Sequence, residues 1–232
     1  MDNKDFPITA ERFIAYFDIM GFKDLVYRSD HKEVSKVMDI VCGCTKFIES
    51  KERDILTKPK AISESVHEKS IVLPVVFSDS ILFISKSGSE YDAYKIIHIA
   101  SFFLYGLLGE NVPVKGALSY GTFTADFKKS SFFGRPLIDA FSLASEVHFY
   151  GAVLHNTFDC YINENKMGID TKFLKRALVP MKNRDITHSY IDWRFLLNNN
   201  NKINSIINKF YDGVSGNIRS YVDNTIRLYD IK

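Results

Sequence analysis

Disulfide-forming capacity is almost absent from this chain: three cysteines, Cys42, Cys44 and Cys160, occur in 232 residues. So sparse and odd a set excludes a disulfide framework. Cys42-Gly43-Cys44 has neither the spacing of a redox pair nor a nearby histidine to complete a zinc set. The cysteines read as buried, reduced thiols of a reducing compartment. No apolar run is long enough to span a bilayer, and the longest, Ile96–Leu108, contains His98. The opening Met1-Asp2-Asn3-Lys4-Asp5 has no signal-peptide pattern. Neither sign of charge is in excess: the formal net charge is +2, which excludes a strong field for nucleic acid or an anionic membrane. The six histidines (His31, His67, His98, His148, His155 and His188) never fall at HxxxH spacing and read as surface or core residues. A soluble, cytoplasmic protein with no nucleic-acid or membrane partner is expected.

What is abundant is apolar and aromatic. Hydrophobic residues make up 46% of the chain and aromatics 14%, chiefly Phe and Tyr, so an aromatic-rich core is expected. Residues 12–19 read as a buried strand ended by Gly21, and a helical turn starts at Lys23. Apolar residues then recur at helical spacing (Val34, Val37, Met38, Val41, Cys44, Phe47, Ile48), which predicts a helix over 31–49. Residues 50–69 read as a polar excursion. A hairpin is predicted over 70–86 with Asp79 at its tip, a helix over 90–108, and a long strand over 112–124 whose Gly116 and Gly121 suggest a bulge or close packing. A third helix is predicted over 136–150, with Pro136 in its first turn. Short strands follow near 151–162, 175–182 and 188–193. Asn198–Asn201 is a polar break, and residues 202–229 close the chain as helix, interrupted near Gly213 and Gly216. Mixing βαβ units with an antiparallel hairpin predicts an α+β fold with a ferredoxin-like βαββαβ core, extra C-terminal strands and a helix. The organisation expected is one catalytic domain over 1–196, with a helical region over 197–232 packed on it.

Two aspartates stand out against this background. Asp18 interrupts Phe13-Ile14-Ala15-Tyr16-Phe17-Asp18-Ile19, and Asp79 interrupts Val75-Val76-Phe77-Ser78-Asp79-Ser80-Ile81. A bare carboxylate in a buried strand context costs several kcal/mol unless a positive group compensates it. A ferredoxin-like core sets the first strand beside the hairpin and brings both carboxylates to one sheet edge. Two carboxylates side by side repel, and a divalent cation relieves the repulsion. The pair therefore points to Mg²⁺ or Mn²⁺ and to phosphate chemistry, with two ions about 4 Å apart in the two-metal arrangement.

Four segments in order across residues 13–147 resemble the class III nucleotidyl cyclases. Phe17-Asp18-Ile19-Met20-Gly21-Phe22 resembles their first metal motif, and Ser78-Asp79-Ser80 their second, usually Gly-Asp. Lys115-Gly116-Ala117-Leu118-Ser119-Tyr120-Gly121 resembles their glycine-bearing strand. Phe133-Gly134-Arg135-Pro136-Leu137-Ile138-Asp139-Ala140 stands where their Gly-x-x-Val-Asn-x-Ala segment lies. There are departures. The base-selecting Lys or Glu four residues before the second metal aspartate is Val75 here, and the second base selector is Ser131. Asp139 lies near the asparagine of the Asn-x-x-x-Arg helix motif, and no arginine follows it. With its purine selectors lost, the chain looks most like the pyrimidine cyclases of bacterial Pycsar anti-phage systems.

The resemblance implies conversion of UTP or CTP to a 3′,5′-cyclic monophosphate plus pyrophosphate. It implies a homodimer with active sites at the interface, and a product that acts on a separate effector. Asp18, Asp79 and the Ile19 carbonyl would hold two Mg²⁺ or Mn²⁺ ions. The Met20-Gly21-Phe22 turn would offer backbone N–H groups to the triphosphate. Lys115 and Arg135 would balance leaving-group charge, Arg135 across the dimer, while Ser131, Asp139 and Val75 would stand around base and ribose. Two other readings stay open: an adenylate or guanylate cyclase, and a degenerate nucleotide-binding module that regulates a partner.

Overall fold

The computed structural model describes residues 6–51, 71–168, 172–196, 200–213 and 215–231. The expected excursion over 50–69 lies, from residue 52 onward, outside the described residues, as do His67, the first five residues and positions 198–199 of the asparagine break. The described elements run in the order β1 (Thr9–Ile19), α1 (Phe22–Arg28), α2 (His31–Lys51), β2 (Val72–Phe77), β3 (Ser80–Ser85), α3 (Glu90–Gly109), β4 (Val114–Asp126), β5 (Ser131–Phe133), α4 (Arg135–Glu146), β6 (Gly151–Leu154), α5 (Asn156–Glu164), β7 (Leu174–Pro180), β8 (Asp185–Ile191), α6 (Asn200–Gly213) and α7 (Arg219–Tyr229), with 3₁₀ turns before α6 and α7.

The sheet order is β2-β3-β1-β4-β6-β8-β7, with β5 paired to β4. Its first four strands each run antiparallel to their neighbours and make the ferredoxin-like core, and β6 joins β4 in parallel. The α+β expectation holds. Gly21 makes the exit from β1 at φ 75, a left-handed conformation that glycine adopts at no steric cost. The hairpin turns through Ser78 and Asp79, and Ser78 takes φ 54, the positive value that two-residue hairpin loops need at their first position.

β1 is buried on both faces from Arg12 to Phe17, and the reason is layering. On one face Phe17 meets Phe103 of α3, with ring centroids 5.0 Å apart, and Phe13 meets Phe158 of α5 at 4.5 Å. On the other face Tyr16 meets Phe141 of α4 at 5.5 Å. Gly116 sits where this layering is tightest. A Cβ there would lie 2.4 Å from the Tyr16 carbonyl oxygen and 2.5 Å from the Phe17 ring, so Gly116 serves close approach of β4 to β1.

Three expectations are corrected. α4 ends at Glu146 rather than 150, because Val147 turns extended and bridges Met181. The strand expected over 151–162 is a four-residue strand followed by α5; the His155 side chain caps that helix, and Phe158 and Ile162 stand one helical turn apart on it. The thiols are not buried: Cys42 and Cys44 are half-buried and Cys160 is exposed, all free.

The C-terminal helices close over β6 and β8. Tyr150 packs on Phe210 of α6 at 4.9 Å, and the buried Trp193 packs on Tyr229 of α7 at 5.7 Å. Buried Asp192 fixes the end of α7 indirectly: it accepts from Arg194 Nη2 at 2.8 Å and pairs with Lys175 at 2.6 Å, while Arg194 also donates to the Tyr229 carbonyl. Arg194 and Lys175 hold the Asp192 carboxyl below the ordinary range against the opposing pull of burial.

Because backbone stands in the way at Gly116, Gly116→Ala is expected to lower unfolding stability by about 2–4 kcal/mol. Urea titration followed by circular dichroism measures it; an unchanged midpoint would show that β1 and β4 can separate at this point without loss.

Candidate functional site

The site is built from the ends of two strands and a turn. Asp18 is the next-to-last residue of β1, paired across to Ser80 of β3 and Lys115 of β4. Side chains of cross-strand partners project to the same face, so Asp18, Ser80 and Lys115 share one side of the sheet. The Ile19 N–H donates to the Asp79 carbonyl at 2.9 Å. This bond ties the end of β1 to the hairpin tip and brings the second aspartate alongside the first.

The electrostatics match this geometry. The Asp18 carboxyl is raised above its ordinary 3.8, by burial first; Lys115 opposes the rise and Asp79 adds to it. The Lys115 amino group is lowered, by burial first, with Asp18 opposing and Lys182 contributing in the same sense as burial. Lys115 is only 8% exposed, and its ammonium donates to the Ser145 carbonyl at 3.3 Å. The Tyr16 hydroxyl lies 3.0 Å from Ser80 Oγ and is raised chiefly by burial, with Asp18 and Asp79 adding to the shift.

Over this face lies a cleft of about 250 Å³ walled by Tyr16, Phe141 and Ala144 on its apolar side and by Asp18, Lys115, Ser145 and Lys182 on its polar side. Tyr16 and Lys182 were not anticipated. Tyr16 had a signal, since it stands two residues before Asp18 in a strand and must share its face. Lys182 had none. It sits in the turn between β7 and β8 and arrives because its N–H donates to the Glu146 carbonyl at 2.8 Å.

The structure gathers Asp18, Ile19, Asp79 and Lys115, with Gly21 and Phe22 following directly at the same edge, and sets the other anticipated residues further off. The Met20 N–H is taken by the Pro113 carbonyl at 2.9 Å, so the amides left at the start of α1 are those of Gly21 and Phe22. Val75 lies on β2 opposite Leu82, which pairs in turn with Tyr16, so it shares the site face further from the edge. Ser131 pairs with Asp126 at the far end of β4, roughly 35 Å along an extended strand from Lys115. Arg135 and Asp139 lie near the start of α4, whose last turn meets Lys115. There Asp139 Oδ2 is 3.5 Å from Arg135 Nε and 3.8 Å from His155 Nδ1. None of Ser131, Arg135 and Asp139 lines the cleft.

The strand order and the placement of the hairpin give this chain the fold of class III adenylyl and guanylyl cyclase catalytic domains. Among solved structures, it is similar to the catalytic core of a rhodopsin-guanylyl cyclase with converted specificity in complex with ATPαS, at TM-score 0.55 and 12% identity over 78% of this chain and 94% of that one. It is similar to the adenylyl cyclase CyaB from P. aeruginosa, at TM-score 0.50 and 11% identity over 79% of this chain and 94% of that one. The monomeric guanylyl cyclase domain of the RhoGC fusion protein from the aquatic fungus Blastocladiella emersonii matches at TM-score 0.50 and 11% identity, over 78% and 94%. No family model and no curated protein matches the sequence. No helix among the described residues is long and apolar enough to cross a membrane.

Because the folded protein holds the Asp18 proton more tightly than an unfolded chain does, Asp18 ionisation detracts from stability as pH rises above 3.8. In metal-free buffer at neutral pH, Asp18→Asn is therefore expected to unfold at a higher temperature than the native protein, with the gap closing in acid. Thermal melts at several pH values check this. A variant that melts lower at neutral pH would mean that the Lys115 pairing outweighs burial and the Asp79 repulsion.

Proposed function

We propose that this chain is a nucleotidyl cyclase that works as a homodimer and converts UTP or CTP to the 3′,5′-cyclic monophosphate and pyrophosphate. The observation that carries the reading is the meeting of Asp18 and Asp79 at one sheet edge, tied by the Ile19–Asp79 backbone bond, with Lys115 beside them. The residues suit a divalent ion. Asp18 and Asp79 form a half-buried, mutually repelling pair, and no group of three or more His, Cys, Asp or Glu able to hold a metal occurs among the described residues. Mg²⁺ favours such a place, since it takes one or two carboxylates and completes its shell with water and phosphate oxygens. Asp18, Asp79 and the Ile19 carbonyl would hold Mg²⁺ or Mn²⁺, which when bound lowers the pKa of the attacking hydroxyl and neutralises the leaving phosphates.

In the proposed reaction the ribose 3′-oxygen attacks the α-phosphorus, the bond from that phosphorus to the bridging oxygen breaks, and pyrophosphate leaves. Lys115, half-held by Ser145, and Lys182 offer cations to the phosphates from the polar wall of the cleft. The amides of Gly21 and Phe22 lie at the same edge. A cleft of about 250 Å³ is small beside the ~300–1,000 Å³ of typical ligand pockets, so it suits the triphosphate rather than the whole nucleotide. The base would lie beyond it, over the open strand face of Val75 and Phe77 and against a second copy. Phe77 is 79% exposed and Phe141 and Ile138 are also exposed, as an apolar surface awaiting a partner copy would be. A second copy would also deliver Arg135, Asp139 and Ser131. Val75 offers no polar group to a purine edge, which supports the pyrimidine choice. The likeness to the Pycsar cyclases supports a product that signals to a separate effector in anti-phage defence.

The test is incubation of the protein with ATP, GTP, CTP and UTP in turn, with Mn²⁺ and then Mg²⁺, and mass spectrometry of the products. A cyclic pyrimidine monophosphate is expected, with turnover at least about 10³-fold lower in Asp18→Ala and in Asp79→Ala. A cyclic purine would overturn the substrate. Nucleotide binding without turnover under any condition would support the regulatory-module reading instead.

A further inference from the structure

Beyond Glu146 the chain runs antiparallel to residues 180–182. Lys182 N–H donates to the Glu146 carbonyl at 2.8 Å, Val147 bridges Met181, and His148 N–H donates to the Pro180 carbonyl at 3.1 Å. Alternation along this short ladder turns the buried Val147 and Met181 to the core and puts His148 and Lys182 on the other side. Lys182 lines the cleft there with Lys115.

The imidazole of His148 is held from behind by α7. Its Nε2 lies 2.8 Å from Ser220 Oγ, and its ring meets Tyr221 edge-on at 4.2 Å between centroids. Asn224 Nδ2 donates to the His148 carbonyl at 2.8 Å, which fixes the backbone as well. Ser220 has one hydroxyl proton, and it goes to the Asn217 carbonyl at 2.6 Å. Nε2 must therefore be the donor to Ser220 Oγ. In the neutral ring Nδ1 is then a bare acceptor, and among the described residues no group bonds to it. Lys115 from β4 and Lys182 from the β7–β8 turn act on the ring, and the Tyr221 phenol from α7 packs against it; Asp18 of β1 acts on that phenol and on Lys115, and Glu146 at the end of α4 acts on Lys115. Burial first, and then the two lysines, lower the His148 pKa below 6.5, so the ring is neutral at pH 7 in the absence of an anion.

We propose that a triphosphate docked against Lys115 and Lys182 draws a proton from solvent onto Nδ1 of His148, so that the imidazolium becomes a third cation for the departing pyrophosphate, with Ser220 and Tyr221 of the C-terminal helix as positioning residues. The inference rests on the cyclase reading above and extends its site to α7. The physics is a reversal of sign: burial and the two lysines keep the ring neutral until a polyanion beside the three groups outweighs them. When pyrophosphate leaves, the proton returns to solvent.

The experiment is calorimetry of inorganic tripolyphosphate binding in buffers of different ionisation enthalpy, which counts protons taken up. It compares the native protein, His148→Gln, which keeps a donor toward Ser220 but cannot titrate, and Ser220→Ala. The native protein is expected to take up close to one proton more than His148→Gln. It should bind about tenfold more tightly near pH 7, which like the proton count needs the histidine pKa to rise by about two on binding, and no more tightly at pH 9. Ser220→Ala should fall between the two. The His148 Cε1–H resonance of the unsubstituted protein, titrated with and without tripolyphosphate, reads the same proton with no change to the fold. Binding with equal proton uptake in the native protein and His148→Gln, or an unmoved His148 titration, would overturn this inference alone. Native protein that does not bind tripolyphosphate at all would overturn it together with the triphosphate site proposed above.

Discussion

The hydrogen bond from the Ile19 N–H to the Asp79 carbonyl is the constraint on which the site depends. Asp18 is positioned by being in β1, in register with Ser80 and Lys115. Asp79 is in a two-residue turn, and a turn fixed only at its own base would leave the two carboxylates free to part. Their charges favour parting: burial first raises the Asp18 pKa, and Asp79 adds to the rise. The backbone bond, together with the positive φ of Ser78 that lets the turn be so tight, holds like charges side by side. Such stored repulsion is a cost to the free protein and an asset to a cation-binding site.

The rest of the fold serves that edge in layers. Gly116 brings β4 against β1 so closely that Lys115 is buried next to Asp18. α3 and α5 seal the other face with phenylalanines. α4 covers the site face only in part: Phe141 and Ala144 wall the cleft, and the end of the helix presents Ser145 to Lys115. The β7–β8 turn adds Lys182, and α7 adds the groups that hold His148. Cation-capable side chains thus converge from three elements far apart in sequence, while the carboxylates come from β1 and the hairpin beside it, joined by the β1–β3 ladder and the Ile19–Asp79 bond at its end. What α4 leaves open, around Phe77 and Val75, is apolar.

Much of this was legible in the sequence, and the reasons differ by residue. The βαββαβ order followed from turn residues and periodicity, because those signals are local. Asp18 and Asp79 were legible because a carboxylate inside an apolar strand pattern needs an explanation. Tyr16 was readable by alternation from Asp18 and was missed. α5 was missed because a capping histidine at position 155 does not announce a helix as Ser or Asp would. Lys182, which lines the cleft, and His148, on which Lys115 and Lys182 act, were not legible, since a short ladder between residues 146–148 and 180–182 that no local pattern encodes brings them together. Ser131 looked close to the site by motif position but lies at the far end of β4, because β5 turns back at Asp126 rather than at the edge that carries Asp18.

The central claim is that Asp18 and Asp79 act together on divalent ions that a nucleoside triphosphate completes. Anomalous diffraction from a crystal soaked with MnCl₂ and a non-cyclising UTP analogue tests it most directly. The account predicts manganese peaks in contact with both carboxylates and with phosphate oxygens of the analogue. Manganese bound elsewhere, or phosphates seated away from Asp18 and Asp79, would contradict it.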